Sequence, residues 1–164
     1  VGSGMGGDWE HDVREMRPAL AAAMADEHRD VVVGIKTAHY WANRPFDELH
    51  PPWAAVDAAV AAGELCGLPV MVDFGYFLRE RPYWQLVTEK LRPGDISTHT
   101  YLGAAPMLDG NGKIRPYLFE AQKRGIIFDV GHGSGSFWYS KAEPLTAQGA
   151  PVRSVSSEPT APRS

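Results

Sequence analysis

The chain has 164 residues, of which 44% are hydrophobic and 22% charged, and a formal net charge of −4. That length supports one domain with a real core, and the acidic balance argues against a nucleic-acid or anionic-membrane surface. No apolar run approaches the roughly 20 residues needed to span a bilayer.

In chain order, the opening Val-Gly-Ser-Gly-Met-Gly-Gly lacks the charged and apolar regions of a signal peptide and reads as an opened loop of something longer. Val13, Met16, Leu20 and Met24 recur at spacings of three and four and predict a helix over residues 9–27, kinked or restarted at Pro18. An unbroken apolar run over 31–36 predicts a strand buried on both faces, as in parallel sheets, and Lys36 closes it. A lysine there either snorkels to solvent or brings its amine to the edge of a dry interior, where desolvation lowers the pKa. The neutral amine could then act as a base, form a Schiff base or take up carbon dioxide as a carbamate.

An aromatic loop with Tyr40, Trp41 and Phe46 follows, and then a helix over 53–66 with Val56, Val60 and Leu65 on its apolar side. Gly63 weakens this helix and Gly67 ends it. It carries Cys66, the one cysteine, which excludes an internal disulfide and suits a reducing, cytoplasmic setting. Residues 68–74 form a second buried strand with Asp73 near its end, and the next loop carries Tyr76, Arg79 and Arg81. A helix over 82–91, a strand over 94–99, an Asp-Gly and Asn-Gly turn over 108–113 and a short helix over 116–123 come next. A fourth strand over 125–130, a helix over 137–148 and a weak strand over 152–156 complete the pattern. We expect a domain over 1–150 and an irregular Pro-, Ser- and Ala-rich tail over 151–164.

Strands alternating with helices at about 30-residue intervals make repeated βαβ units. Two architectures remain: a doubly wound open sheet, or part of a (β/α)8 barrel. Both place their chemistry at C-terminal strand ends, where Lys36, Asp73, His99 and His132 stand. Imidazole and carboxylate groups suit zinc or a related divalent ion. The loop residues Tyr40, Trp41 and Arg79 are candidates for a substrate pocket, the arginine as a carboxylate clamp. Gly131-His132-Gly133-Ser134-Gly135 lacks the Lys-Ser/Thr of a phosphate loop, and Ser134 falls one place too late for a nucleophile elbow.

Four segments in order carry a resemblance: Val33-Gly34-Ile35-Lys36, Gly67 to Asp73, Leu91 to His99, and Gly125-Ile126-Ile127-Phe128-Asp129-Val130-Gly131-His132-Gly133 with Ser134 to Phe137. They resemble the amidohydrolase superfamily, in its dihydroorotase-like amidohydrolase/deacetylase branch. The resemblance implies an α/β fold, part of a (β/α)8 barrel spanning about strands four to seven or eight with the first strands missing. It implies one or two zinc ions held by a carbamate on Lys36, by Asp73 and by His99, with His132 near substrate. The implied reaction is hydrolysis of a small-molecule amide, ester or cyclic amide through metal-bound hydroxide.

Three departures stand out. Many relatives have histidine where Asp73 stands, the His-x-His pair of the first strand has no counterpart, and Val155-Ser156-Ser157-Glu158 lies where Ser-Thr-Asp is found. Glu158 is therefore the candidate catalytic base. A half-barrel would expose sheet edges and apolar surface, so we expect a homo-oligomer or pairing with the missing barrel half. A non-catalytic binding or assembly module is the alternative, and a lysine Schiff-base aldolase a third.

Overall fold

The computed structural model describes residues 8–42, 44–133 and 135–156, the side chains from residue 10 onward. Glu158, Ser134, the opening residues 1–7 and the end of the expected tail lie outside the described residues.

Five strands form one sheet: β1 (Ile35–Ala38), β2 (Val70–Asp73), β3 (Ile96–Ser97), β4 (Ile127–Asp129) and β5 (Val152–Ser154). Every neighbouring pair is parallel, and the spatial order is the chain order. A doubly wound sheet reverses its strand order at a switch point; this one does not. Successive units stepping in one direction are the winding of a barrel, so the fold is α/β, a (β/α)8-type barrel segment.

The helices are α1 (Pro18–Glu27), α2 (Ala54–Cys66), α3 (Tyr83–Gln85, continued by a wider turn, Leu86–Lys90), α4 (Tyr117–Lys123) and α5 (Tyr139–Ala147). Val70, Val72, Phe128 and Val130 pack with Leu86, Leu118 and Leu145 in the main core. Alternation along β2 sends Val70 and Val72 to that layer and leaves Met71 and Asp73 on the other face.

The expected helix over 9–27 is broken. Two short 3-10 turns, Asp8–His11 and Val13–Glu15, precede α1, which starts at Pro18. Proline disfavours helical geometry in the residue before it, and Asp12 accepts from the Arg14 N–H to cap the second turn. The predicted apolar face is also wrong: Leu20 and Met24 are exposed, and α1 packs through Ala22 and Ala25 against Cys66. Small residues let the two helices approach closely.

The expected strand over 31–36 is shifted. Val31 and Val32 close a turn onto the His28 carbonyl, Val31 and Val33 are 70% and 80% exposed, and pairing begins at Ile35. Lys36 is thus the second residue of β1, not its last. In α2, Leu65 is exposed while Gly63 is buried, and Gly67 (φ 66°) caps the C-terminus in the left-handed region. Asp109 accepts backbone N–H bonds from Asn111 and Lys113, which closes the expected turn.

Candidate active site

The parallel register brings the C-terminal strand ends to one edge. Lys36 aligns with Met71, and Ala38 with Asp73. Side chains two apart share a face, so the long Lys36 chain reaches up its own strand toward Asp73. Lys36 Nζ lies 3.0 Å from Asp73 Oδ2. His99 Nε2 lies 3.2 Å from the same oxygen. Asp73 and His99 are almost fully buried, whereas the Lys36 side chain is 39% exposed. Among the described residues β1 pairs on one side only, and its lysine amine faces the Asp73 carboxylate rather than a dry apolar interior.

His99 follows β3 and adopts φ 57°, a left-handed conformation that histidine tolerates better than most residues. Its Nδ1 lies 2.7 Å from the Gly131 carbonyl oxygen. A carbonyl only accepts, so Nδ1 carries a proton and donates. Nε2 then faces the Asp73 carboxylate with either a second proton or a lone pair. A lone pair beside an ionised carboxylate requires a cation between them. Lys36 brings its ammonium to that oxygen. Burial alone would raise the Asp73 pKa, but the hydrogen bond and charge of His99 and the charge of Lys36 outweigh it and hold the carboxyl below its usual value.

The same demand defines the fit to a metal. Among the described residues no group of three His, Cys, Asp or Glu side chains could hold an ion. Asp73 and His99 supply one oxygen and one nitrogen donor, and the backbone-anchored Nδ1 is the outer support that orients a ligating imidazole. Catalytic zinc sites usually have three protein ligands, and among the described residues the third would have to be Lys36 as its carbamate. With that modification the donor set fits one divalent ion.

Asp129 braces this arrangement and was not singled out by sequence reasoning. It is fully buried, and its Oδ2 accepts from Thr98 Oγ1 and Ser156 Oγ, both at 2.6 Å. Thr100 Oγ1 donates to its carbonyl at 2.9 Å. One carboxylate thereby links the exits of β3, β4 and β5. Burial pushes its pKa up, but the hydrogen bonds from Ser156, Thr98 and Ser154 prevail and lower it.

The other expected site residues make contacts of their own. His132 is exposed, its ring 5.2 Å from Phe137, in a cleft of about 450 Å³ with Tyr101, Val152 and Val155. It directly follows Gly131, whose carbonyl holds His99. Tyr40 is not a pocket wall: its side chain is fully buried and its hydroxyl donates to the Pro51 carbonyl at 3.1 Å. Burial pushes its pKa up to about 12. Trp41 (φ 47°) stacks on His50 at 3.5 Å and donates Nε1–H to Pro45, which folds the loop onto itself. Arg79 is exposed, whereas Arg81 in the same loop is buried. Nothing in the sequence separates the two, since they stand two apart in one loop.

No protein-family model matches the chain. It is 27% identical over 149 residues to a deacetylase of Enterococcus faecalis, covering 90% of this chain and 39% of that protein. Among solved structures, an adenine deaminase superposes with a TM-score of 0.74 at 25% identity, over 89% of this chain and 39% of the other. A dihydroorotase superposes with a TM-score of 0.62 at 26% identity, over 90% and 38%. The chain thus spans about two fifths of the length of these relatives. In its sequential parallel strands and in these likenesses, the chain is similar to members of the amidohydrolase superfamily.

Proposed function

We propose that the chain carries part of a hydrolase site that cleaves an amide, ester or cyclic amide of a small molecule. One observation carries this reading: Lys36 and His99 converge on a single oxygen of Asp73 at the C-terminal strand edge. The deacetylase and dihydroorotase likenesses support the reaction class.

In this reading the carbamate of Lys36, Asp73 and His99 hold one divalent ion, for which zinc suits the mixed nitrogen and oxygen donors. A bound ion supplies Lewis-acid polarisation of the carbonyl and acidifies the attacking water. The chain's own groups do the rest. The Gly131 carbonyl holds the His99 proton on Nδ1 and keeps Nε2 available. Asp129 fixes the strand exits that carry His99 and Ser156. Glu158, two residues beyond Ser156, is the proposed base that takes the water's proton, and His132 the proposed substrate contact.

The test is metal content of the purified chain together with intact mass under non-acidic conditions. Stoichiometric zinc and the added mass of one carbon dioxide, lost in Lys36→Met, are expected. Metal-free protein with unmodified Lys36 after loading with zinc and bicarbonate overturns the reading.

A second reading, a binding or assembly module without catalysis, is favoured by surface. Leu20, Val31, Val33 and Leu65 are exposed, and β1 and β5 each pair on one side only among the described residues. Such edges suit a second copy or the rest of a barrel. No described helix is long and apolar enough to cross a membrane.

A further inference from the structure

The two sides of the sheet leave different apolar surfaces uncovered. At the β1 side, α1 packs on α2 through Ala22 and Ala25. Helical residues turn about 100° each, so Leu20 and Met24 stand on the opposite side of α1, and both are exposed. Val31 and Val33, in the turn that leads into β1, are exposed as well. At the β5 side lies the cleft of about 450 Å³, lined by Phe137, Thr146, Ala150, Val152 and Val155 among others. Val152 packs against the main core with Phe128 and Val130, so this cleft belongs to the helix layer, between α5 and the open side of β5.

One contact covers both surfaces. With β1 of a second copy set beside β5 as the next parallel strand, the sheet continues in the order and sense it already follows. The α1 of that copy precedes its β1 and lies against its own α2, so it falls between that α2 and the α5 of the first copy. The side of α1 turned away from α2 then faces the cleft, and that side carries Leu20 and Met24. Val31 and Val33 meet Ala150, because both segments lead into the start of a strand. Charge agrees with this placement. Among the described residues Arg29 pairs with Asp26, so Glu27 and Asp30 give the end of α1 a negative charge, and Arg153 at the start of β5 is exposed.

We propose that the chain assembles head to tail, with β5 and its cleft on one copy receiving β1 and α1 of a second copy. This rests on the assembly reading above and is independent of catalysis. Unlike surfaces meet, so the contact is heterologous, and such contacts close into a ring when the rotation allows. Two five-stranded sheets joined at both sides form a ring of ten strands with no open edge, its diameter set by the strand number. A two-fold contact of β1 with β1 would leave the cleft beside β5 uncovered.

The experiment combines light scattering with cysteine cross-linking. The wild-type chain is expected to have the mass of two chains. Leu20→Cys and Val155→Cys, each in a Cys66→Ala background, put one thiol on each surface at exposed positions. Co-expressed and oxidised, the two variants are expected to form a disulfide-linked dimer, while each variant alone is expected to stay uncross-linked. Leu20→Asp combined with Met24→Asp is expected to give a monomer with the wild-type circular dichroism spectrum, because both side chains are exposed in the single copy. If each cysteine variant cross-links to itself as readily as the pair does, like surfaces meet; the head-to-tail proposal is overturned and the assembly reading stands. A wild type that is monomeric at every concentration overturns both. A doubly substituted protein that still assembles overturns the role given to α1 and with it the proposal.

Discussion

The Gly131 carbonyl accepts from His99 Nδ1 at 2.7 Å, and a β-carbon at Gly131 would lie only 2.5 Å from that same nitrogen and closer still to Thr98 Oγ1. Gly131 also has φ 58°. The glycine of Phe-Asp-Val-Gly-His-Gly is therefore required twice, for backbone conformation and for the approach of the imidazole.

Gly131→Ala is expected to destabilise the chain by at least about 1–3 kcal/mol, the scale of left-handed strain alone, and to displace His99. Urea unfolding measures the first effect. Zinc titration with a competing chromophoric chelator measures the second, as weakened affinity. A variant with wild-type stability and affinity contradicts the role assigned to the glycine.

Asp129→Asn tests the brace. The Asp129 pKa is depressed from the ordinary 3.8 by hydroxyl donors that overcome its burial. The sign follows from linkage: the stabilisation is fully present above the unfolded value, and is lost as pH falls through the lower folded value. Stability of the wild type should thus decline only in the acid range below the ordinary aspartate pKa. Asp129→Asn should cost about 1–3 kcal/mol at neutral pH and flatten that decline. Melting temperature against pH for both proteins checks it. Asp73, also depressed, contributes to the remaining slope.

Exchanging the Asp73 carboxylate for an imidazole gives a ligand-replacement experiment. Asp73→His is expected to keep zinc binding, because an imidazole donor replaces the oxygen. Asp73→Ala is expected to weaken zinc at least about 10–100-fold, the scale reported even for outer-shell losses. Metal competition assays on both variants provide the measurement. Unchanged affinity in Asp73→Ala would remove Asp73 from the ligand set.

Gly63→Ala sets helix propensity against packing. Glycine to alanine inside a helix is worth about 1 kcal/mol in favour of alanine. At Gly63 the new methyl would sit 2.5 Å from Arg92 Nη2, 2.8 Å from Val70 Cγ2 and 2.9 Å from the Leu68 carbonyl oxygen. Overpacking of that kind costs about 1–3 kcal/mol. Arg92 also pairs with Asp95 at 2.9 Å and donates to the Leu68 carbonyl, so it cannot easily withdraw. A lower urea midpoint is expected; a higher one would show that α2 shifts outward freely.

The alternation of apolar runs and helical periods announced the βαβ units, and the motifs around Lys36, His99 and His132 announced the superfamily. Those signals are local: each depends on a few neighbouring residues with a period of two or between three and four. Large side chains misled where the approach of neighbours decided burial. In α1 the alanines, not Leu20 and Met24, face α2, and Val31 and Val33 are left outside because pairing starts later at Ile35.

Which strand-end groups share a point depends on register and on loops that travel over the sheet edge, and no local pattern encodes that. Sequence alone determined the class of the fold and the identity of the polar groups at its rim, because hydrophobic period and residue chemistry are properties of single segments. Only the tertiary structure decided that Lys36 and His99 meet on one oxygen of Asp73, and that Arg81 rather than Arg79 is the buried arginine. Those outcomes turn on distances between segments far apart in the chain, which parallel pairing and packing set together.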